Sequence, residues 1–178
     1  MSFLDKNYES PKENSDGYMK LQSGENRFRI LCSPIVGWED WTPEKKPKRY
    51  PYVTGQEAPA PFDPAHPPKH FWSLIVWNVG AKKVQILHIT QTSVRKAIEK
   101  LSRDADWGAP FHYDIKVVKS GEQKDTRYDV TPLPHKPISE EIKTEFYARA
   151  INLEAMFTND DPFKEGSKQT LAFWELEA

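Results

Sequence analysis

The sequence has little cysteine, no long apolar run and almost no net charge. Its one cysteine, Cys32, excludes an internal disulfide and indicates a reducing compartment. No stretch approaches 18 consecutive apolar residues, and the N-terminal residues are polar, which is not the pattern of a membrane span or a secretion signal. We therefore expect a cytoplasmic protein without membrane contact, in the host cell cytoplasm if the protein is viral.

Motifs for catalysis, cofactors and metals are also missing. There is no phosphate-binding loop, nucleophile elbow or two-histidine metal helix. The histidines and the single thiol lack zinc-ligand spacing. The carboxylate pairs 39–40 and 140–141 are adjacent, and neighbours on a strand point to opposite faces. These absences predict no metal, no cofactor and no enzymatic activity.

The net charge of −1 hides an uneven distribution. Residues 69–127 hold eleven Lys and Arg against six Asp and Glu, whereas residues 128–178 hold five against ten. Such a division can give one basic face on a nearly neutral protein and leaves an acidic C-terminal segment. A polyanion is therefore still a plausible partner for the middle of the chain.

The chain length and its aromatic content favour one folded domain. The 178 residues include nine Phe, seven Tyr and six Trp, which supply a core although the total hydrophobic fraction is only 38%. We expect a disordered arm over residues 1–17, the folded domain over residues 18–157, and a mildly acidic segment over residues 158–178.

Alternating and apolar segments predict a mainly β domain with inserted helices. A first hairpin is expected from residues 27–31 and 35–41, a second from 70–78 and 83–89, and a third from 113–119 and 126–133. The proline-rich residues 42–69 read as a long surface loop. A helix begins near Thr90, residues 138–157 suggest one or two more, and residues 171–176 a late strand or docking tail. This pattern fits a five-stranded oligonucleotide-binding (OB) barrel with one inserted helix and C-terminal helices, and also another small α+β topology.

Aromatic residues interleaved with cations are the feature that indicates a function. Rings accept unpaired bases by stacking, and Lys or Arg side chains follow the phosphates, so the combination is typical of single-strand binding. Burial in the core is the alternative for every ring, and the predicted strand over residues 70–78 is apolar on both faces. The candidate binding residues are Trp38, Trp41, Arg49, Tyr50, Tyr52, Phe71, Trp72, Trp77, Lys82, Lys83, Lys116 and Arg127.

Several segments resemble the single-stranded DNA-binding proteins of tailed bacteriophages and prophages. They are residues 18–31 (YMKLQSGENRFRIL), 34–39 (PIVGWE), 69–78, 85–91 and 107–115. The resemblance implies an OB-fold that coats single strands in phage DNA replication, recombination or repair, often cooperatively, with an acidic tail that contacts replication proteins. T-even-phage relatives carry a zinc module built from a histidine and several cysteines, and the single Cys32 implies that this module is absent.

We therefore expect sequence-tolerant binding of single-stranded DNA, with RNA as an open alternative. The rival hypotheses are a protein-interaction adaptor that presents an exposed aromatic hairpin, and a metal-assisted nuclease, which the missing acidic cluster disfavours. Self-association on DNA and contacts with replication or recombination proteins through residues 158–178 are further expectations.

Overall fold

A computed structural model describes residue 3 and residues 14–177 of the chain. The strands are β1 Tyr18–Met19, β2 Gly24–Ile30, β3 Ile35–Trp41, β4 Pro47–Pro51, β5 Lys69–Asn78, β6 Lys83–Ile89, β7 Tyr113–Ser120 and β8 Arg127–His135. The helices are α1 Thr92–Arg103, α2 Glu140–Ala148 and α3 Phe173–Leu176, with 3-10 turns at Asn14–Gly17, Gln123–Asp125 and Leu153–Thr158. The fold is mainly β with a few helices, as the sequence predicts.

All eight strands belong to one mixed sheet. The order is β1-β6-β5-β2-β7-β8, with β3 paired to β5 and β4 paired to β3. Only β1 and β6 run parallel among these pairs. The β5–β6 and β7–β8 hairpins confirm the second and third predicted hairpins. The sheet is not clearly the closed five-stranded barrel of the prediction.

The predicted first hairpin is wrong, because β2 and β3 do not pair with each other. Both lie on the same edge of the ten-residue β5: β2 pairs with its end near Val76, and β3 pairs with its beginning near Phe71. The connection between them follows that edge, since Leu31 N donates to Ile75 O (2.9 Å) and Ile75 N to Cys32 Sγ (3.3 Å). Ser33-Pro34 thus shifts the chain along β5 instead of reversing it.

The proline-rich segment 42–69 is not loop throughout, because β4 forms within it. β4 pairs only with β3, and its prolines, Pro47 and Pro51, are the two ends of the strand. A missing N–H is tolerated on such an edge strand, so proline density excludes a central strand but not this one. The loop after β4 is tied back by Asp40, whose carboxylate accepts the N–H of Phe62 at 3.0 Å.

The apolar character of both faces of β5 has a structural cause. Leu74 and Val76 lie on one face of the strand, Ile75 and Trp77 on the other, and all four are buried in one core. α2 packs against β6, and the C-terminal segment docks through Phe173 N, which donates to Leu31 O at 2.9 Å. Helical and C-terminal segments therefore cover sheet area that would otherwise be exposed.

The two ends of the chain are also attached to the sheet where they are described. Most of the expected N-terminal arm, residues 1–17, lies outside the described residues. Asp16 at its end bonds Lys83 Nζ at 2.6 Å. Phe163, in the expected acidic segment, packs edge-on against Tyr18 with ring centroids 5.6 Å apart. Within the described part of the chain no helix is long and apolar enough to cross a bilayer.

Candidate functional site

One face of the β3-β4-β5 region carries a group of partly exposed rings. Strand register places Trp38 opposite Tyr50 on β4 and opposite His70 on β5. Directly paired residues share a face, as do residues two apart on one strand. We call the set on this face the aromatic face: it comprises Trp38, Tyr50, Tyr52, His70 and Trp72.

The ring of His70 contacts two other rings of the aromatic face, and all five residues of this face are at least partly exposed. The centroid of His70 lies 4.9 Å from that of Trp38 and 5.2 Å from that of Tyr52, with tilted or edge-on planes. Tyr52 is 41% exposed, whereas Trp72 is partly buried and packs against the core. Because edge contacts leave ring faces open, flat apolar ligands have surfaces on which to stack.

Two cations border the aromatic face. Lys48 Nζ lies 5.1 Å from the centroid of the Tyr50 ring, a cation–π distance. The second is Arg95 on α1, whose charge acts on His70: burial, and next the charge of Arg95, lower the pKa of His70, while a hydrogen bond to the Gly37 backbone partly opposes them. A lowered pKa keeps His70 neutral at pH 7, so at this site it acts as a ring and Arg95 as the charge.

Rings beside cations are suited to binding a strand of unpaired bases. No protein-family model, curated protein or solved structure matches this chain. Four of the twelve predicted binding residues lie on the aromatic face: Trp38, Tyr50, Tyr52 and Trp72.

Phe71 and Trp77 correct the prediction, because they are core residues. Phe71 is 0% exposed and Trp77 is 7% exposed. Both lie on the face of β5 opposite Trp72, and Phe71 packs 4.8 Å from the ring of His88. Strand alternation separated the two sets of rings, and sequence alone did not show which set faces the core.

Arg49 is on the buried side as well. Its Nε donates to Glu39 Oε2 at 2.8 Å, and its side chain is only 18% exposed. His88 Nε2 lies 3.2 Å from the same oxygen, at ion-pair distance, and His88 Nδ1 is 2.6 Å from Ser73 Oγ. Burial alone would raise the pKa of Glu39, but His88 and Arg49 outweigh it and the pKa is lowered.

This Ser73–His88–Glu39 chain has the residue types of a hydrolase triad but not the access. Ser73 is 0% exposed and sits within the sheet between β3 and β6. A nucleophile must reach the substrate, so this hydroxyl cannot attack one in the described conformation. These three side chains link the strands β3, β5 and β6 through buried polar contacts.

The remaining predicted residues are dispersed. Trp41 is 54% exposed but projects from the opposite face at the end of β3, where it borders a cleft of about 650 Å³ with Phe62. Lys82 and Lys83 lie beyond Asn78, roughly 26 Å from His70 along β5 at about 3.3 Å per residue. Register places Lys116 and Arg127 on the sheet face that does not carry the aromatic face.

Sequence reasoning missed His70, Lys48 and Arg95 as site residues. His70 alternates with Trp72 along β5, which is the signal that could have found it. Arg95 follows the buried Val94 on α1, a helix that the sequence assigned to packing alone. Among residues 14–177, no group of three or more His, Cys, Asp or Glu side chains is arranged to hold a metal ion.

Proposed function

We propose that the protein binds single-stranded DNA on the aromatic face without reading its sequence. The observation that carries the proposal is the contact of the His70 ring with both Trp38 and Tyr52 on one accessible sheet face. Lys48 and Arg95 border the same face. Stacking of a base on such a ring contributes about 1–3 kcal/mol and tolerates every base, since each has a π-face.

Single strands fit this face better than duplexes do. In a duplex the base faces are stacked on one another, whereas an unpaired strand can turn its bases toward the rings. Sequence reading in a duplex needs a helix or ribbon in a groove, and α1 buries Val94 and Ile98 in the core. Binding of this kind makes and breaks no covalent bond and requires no cofactor, so the proposal is of a non-enzymatic protein.

The proposal extends to the role that the resemblance implies. An OB-type arrangement of the strands, with α1 between the second and third hairpins, would serve strand coating in phage DNA replication, recombination or repair in the cytoplasm. Replication proteins are the proposed partners of residues 158–178. In the structure Glu175 in this segment accepts a hydrogen bond from Tyr147 at 2.9 Å, so recruitment through it would compete with that contact.

A fluorescence anisotropy titration tests the function. Labelled oligothymidine is titrated with the full chain at low and moderate salt, with unlabelled duplex and oligouridine as competitors, while tryptophan emission is followed. Tight, salt-weakened binding with quenching and little duplex competition is the expected result. Equal competition by oligouridine would assign RNA as well as DNA.

Variants separate the aromatic face from other exposed rings. Trp38→Ala and Tyr52→Ala are each expected to weaken binding about thirtyfold, which corresponds to about 2 kcal/mol, the middle of the range for one stacked base. Tyr147→Ala is the matched control, since Tyr147 on α2 is 49% exposed and far in sequence from the site. No binding at low salt would contradict the proposal and favour the adaptor hypothesis; magnesium-dependent cleavage of the strand would contradict its non-enzymatic part.

A further inference from the structure

Arg29 carries a buried charge with donors left over. It is 1% exposed, and its Nε donates to Asp114 Oδ1 at 2.8 Å. Its Nη1 donates to the carbonyl of Lys136 at 2.9 Å. Its Nη2 is buried and has no hydrogen-bond partner among the described residues. Buried polar groups are almost always hydrogen-bonded. The two unpaired N–H donors of Nη2 therefore point to a missing acceptor.

The guanidinium lines a small cavity between the sheet and α2. The cavity has a volume of about 160 Å³, and its lining includes Arg29, Asp114, Lys136, Ser139 and Glu141. Ser139 caps α2: its Oγ accepts the N–H of Ile142 at 3.3 Å. The first turn of a helix presents its remaining N–H groups and the positive end of its dipole, which favour an anion.

Positive charge is in excess around the buried carboxylate of Asp114, which lines the cavity. Asp114 contacts three cations, Arg29 Nε at 2.8 Å, Arg27 Nε at 3.1 Å and Lys136 Nζ at 3.8 Å. Glu141 in the cavity lining opposes this excess with one negative charge. Lys136 has a side chain that is 62% exposed, so a ligand can enter from its side.

We propose that this cavity binds a tetrahedral oxyanion of the phosphate class, next to the guanidinium of Arg29, to Lys136 and to the N-terminus of α2. A guanidinium suits such an anion because its N–H groups are charged hydrogen-bond donors, which bind oxyanions more strongly than neutral donors do. Arg29 pairs with Trp77, on the sheet face opposite Trp72. The site is therefore separate from the aromatic face and goes beyond the proposed function.

Two ligands carry an oxyanion of this class: free phosphate, and a phosphate group of a bound DNA strand. Isothermal titration of the full chain with potassium phosphate, at ionic strength matched with potassium chloride, measures the first. Oligothymidine with a 5′-phosphate or with a 5′-hydroxyl measures the second. Binding of phosphate with equal affinities for the two oligonucleotides assigns free phosphate. Tighter binding of the 5′-phosphorylated strand, lost when phosphate is added, assigns the strand.

Substitutions of exposed residues test the site without disturbing the core. Lys136→Gln is expected to weaken phosphate binding about two- to fivefold, and Glu141→Gln to strengthen it by a similar factor, as for partly exposed charge pairs. Lys124→Gln, in the turn between β7 and β8, is the control and should leave the affinity unchanged.

Two results would overturn the proposal. One is an absence of phosphate binding at matched ionic strength, which would assign the free donors of Arg29 to buried water. The other is an equal affinity in the wild type, Lys136→Gln and Glu141→Gln, which would mean that phosphate binds elsewhere on the surface. The thermal midpoint of each variant without phosphate checks that all three are folded, and phosphate should raise it in proportion to affinity.

Discussion

Glu39 Oε2 accepts a hydrogen bond from Arg49 Nε at 2.8 Å across the β3–β4 pair, so this arginine is paired within the protein. The same carboxylate lies 3.2 Å from His88 Nε2 on β6, which is separated from β4 by the two strands β3 and β5. One carboxylate therefore links the edge strand that carries Tyr50 to the middle of the sheet. Arg49 therefore lies behind the aromatic face, on the other side of β4 from Tyr50.

Replacing the carboxylate should destabilise the fold in a pH-dependent way. Glu39→Gln is expected to cost about 2 kcal/mol at pH 7, because it leaves Arg49 partly buried without its counter-charge. The folded-state pKa of Glu39 is below its ordinary value of 4.5, so its stabilisation is complete above pH 4.5 and is lost as the pH falls through the folded value. Urea unfolding of both proteins at pH 7 and near pH 3 measures the difference, which should shrink in acid. An equal difference at both pH values would contradict the ionic role of Glu39.

The strands that are strongest in the sequence were the ones predicted correctly. β5, β6, β7 and β8 have continuous apolar or alternating patterns with clear turns, and their hairpins form as expected. The failures concern long-range pairing: β2 and β3 share an edge of β5, and β4 depends on β3 for its strand pairing. Local sequence cannot specify which edge of a distant strand receives a segment.

The candidate site was predictable in its residue types but not in its membership. Trp38, Tyr50 and Trp72 come together because β3, β4 and β5 pair in one register, and a shift of one residue would have exposed Phe71 instead. Lys116 and Arg127 carry charge into the basic middle of the chain but project from the other sheet face. A count of charges along the sequence has no information about faces.

Replacing Trp77 should lower the stability of the fold without weakening the binding of oligothymidine. Trp77→Ala is expected to lower the free energy of unfolding by about 3–5 kcal/mol, since it empties a buried site. The milder Trp77→Phe should keep a folded protein with oligothymidine affinity within about twofold of wild type, because Trp77 is buried and lies off the aromatic face. Urea unfolding and anisotropy on the same preparations separate the two quantities. A tenfold affinity loss in folded Trp77→Phe would return this ring to the binding site.

Charge at the aromatic face should control the salt dependence of binding. Lys48→Gln is expected to reduce the slope of log K against log salt by about 0.7, the value for one phosphate contact on a single strand. Lys82→Gln is the matched control, because this exposed lysine lies in the β5–β6 turn away from the aromatic face. Anisotropy titrations at four or more salt concentrations give both slopes. Equal slopes for the two variants would remove Lys48 from the phosphate path.

Cys32 offers a test of the core that does not depend on function. Burial raises the pKa of its thiol to about 12, partly opposed by the hydrogen bond from Ile75 N, and the side chain is 0% exposed. The thiolate is the reactive species, so a disulfide reagent at pH 8 should label the native protein only as fast as the protein opens. In urea the exposed thiol should react at the rate of an ordinary free cysteine. Phosphate or oligothymidine should slow labelling in proportion to the stability each adds, because binding to the native state suppresses opening of the whole domain. Fast labelling of the native protein would show instead that the β2–β3 connection opens locally along the edge of β5, and would separate that motion from global unfolding.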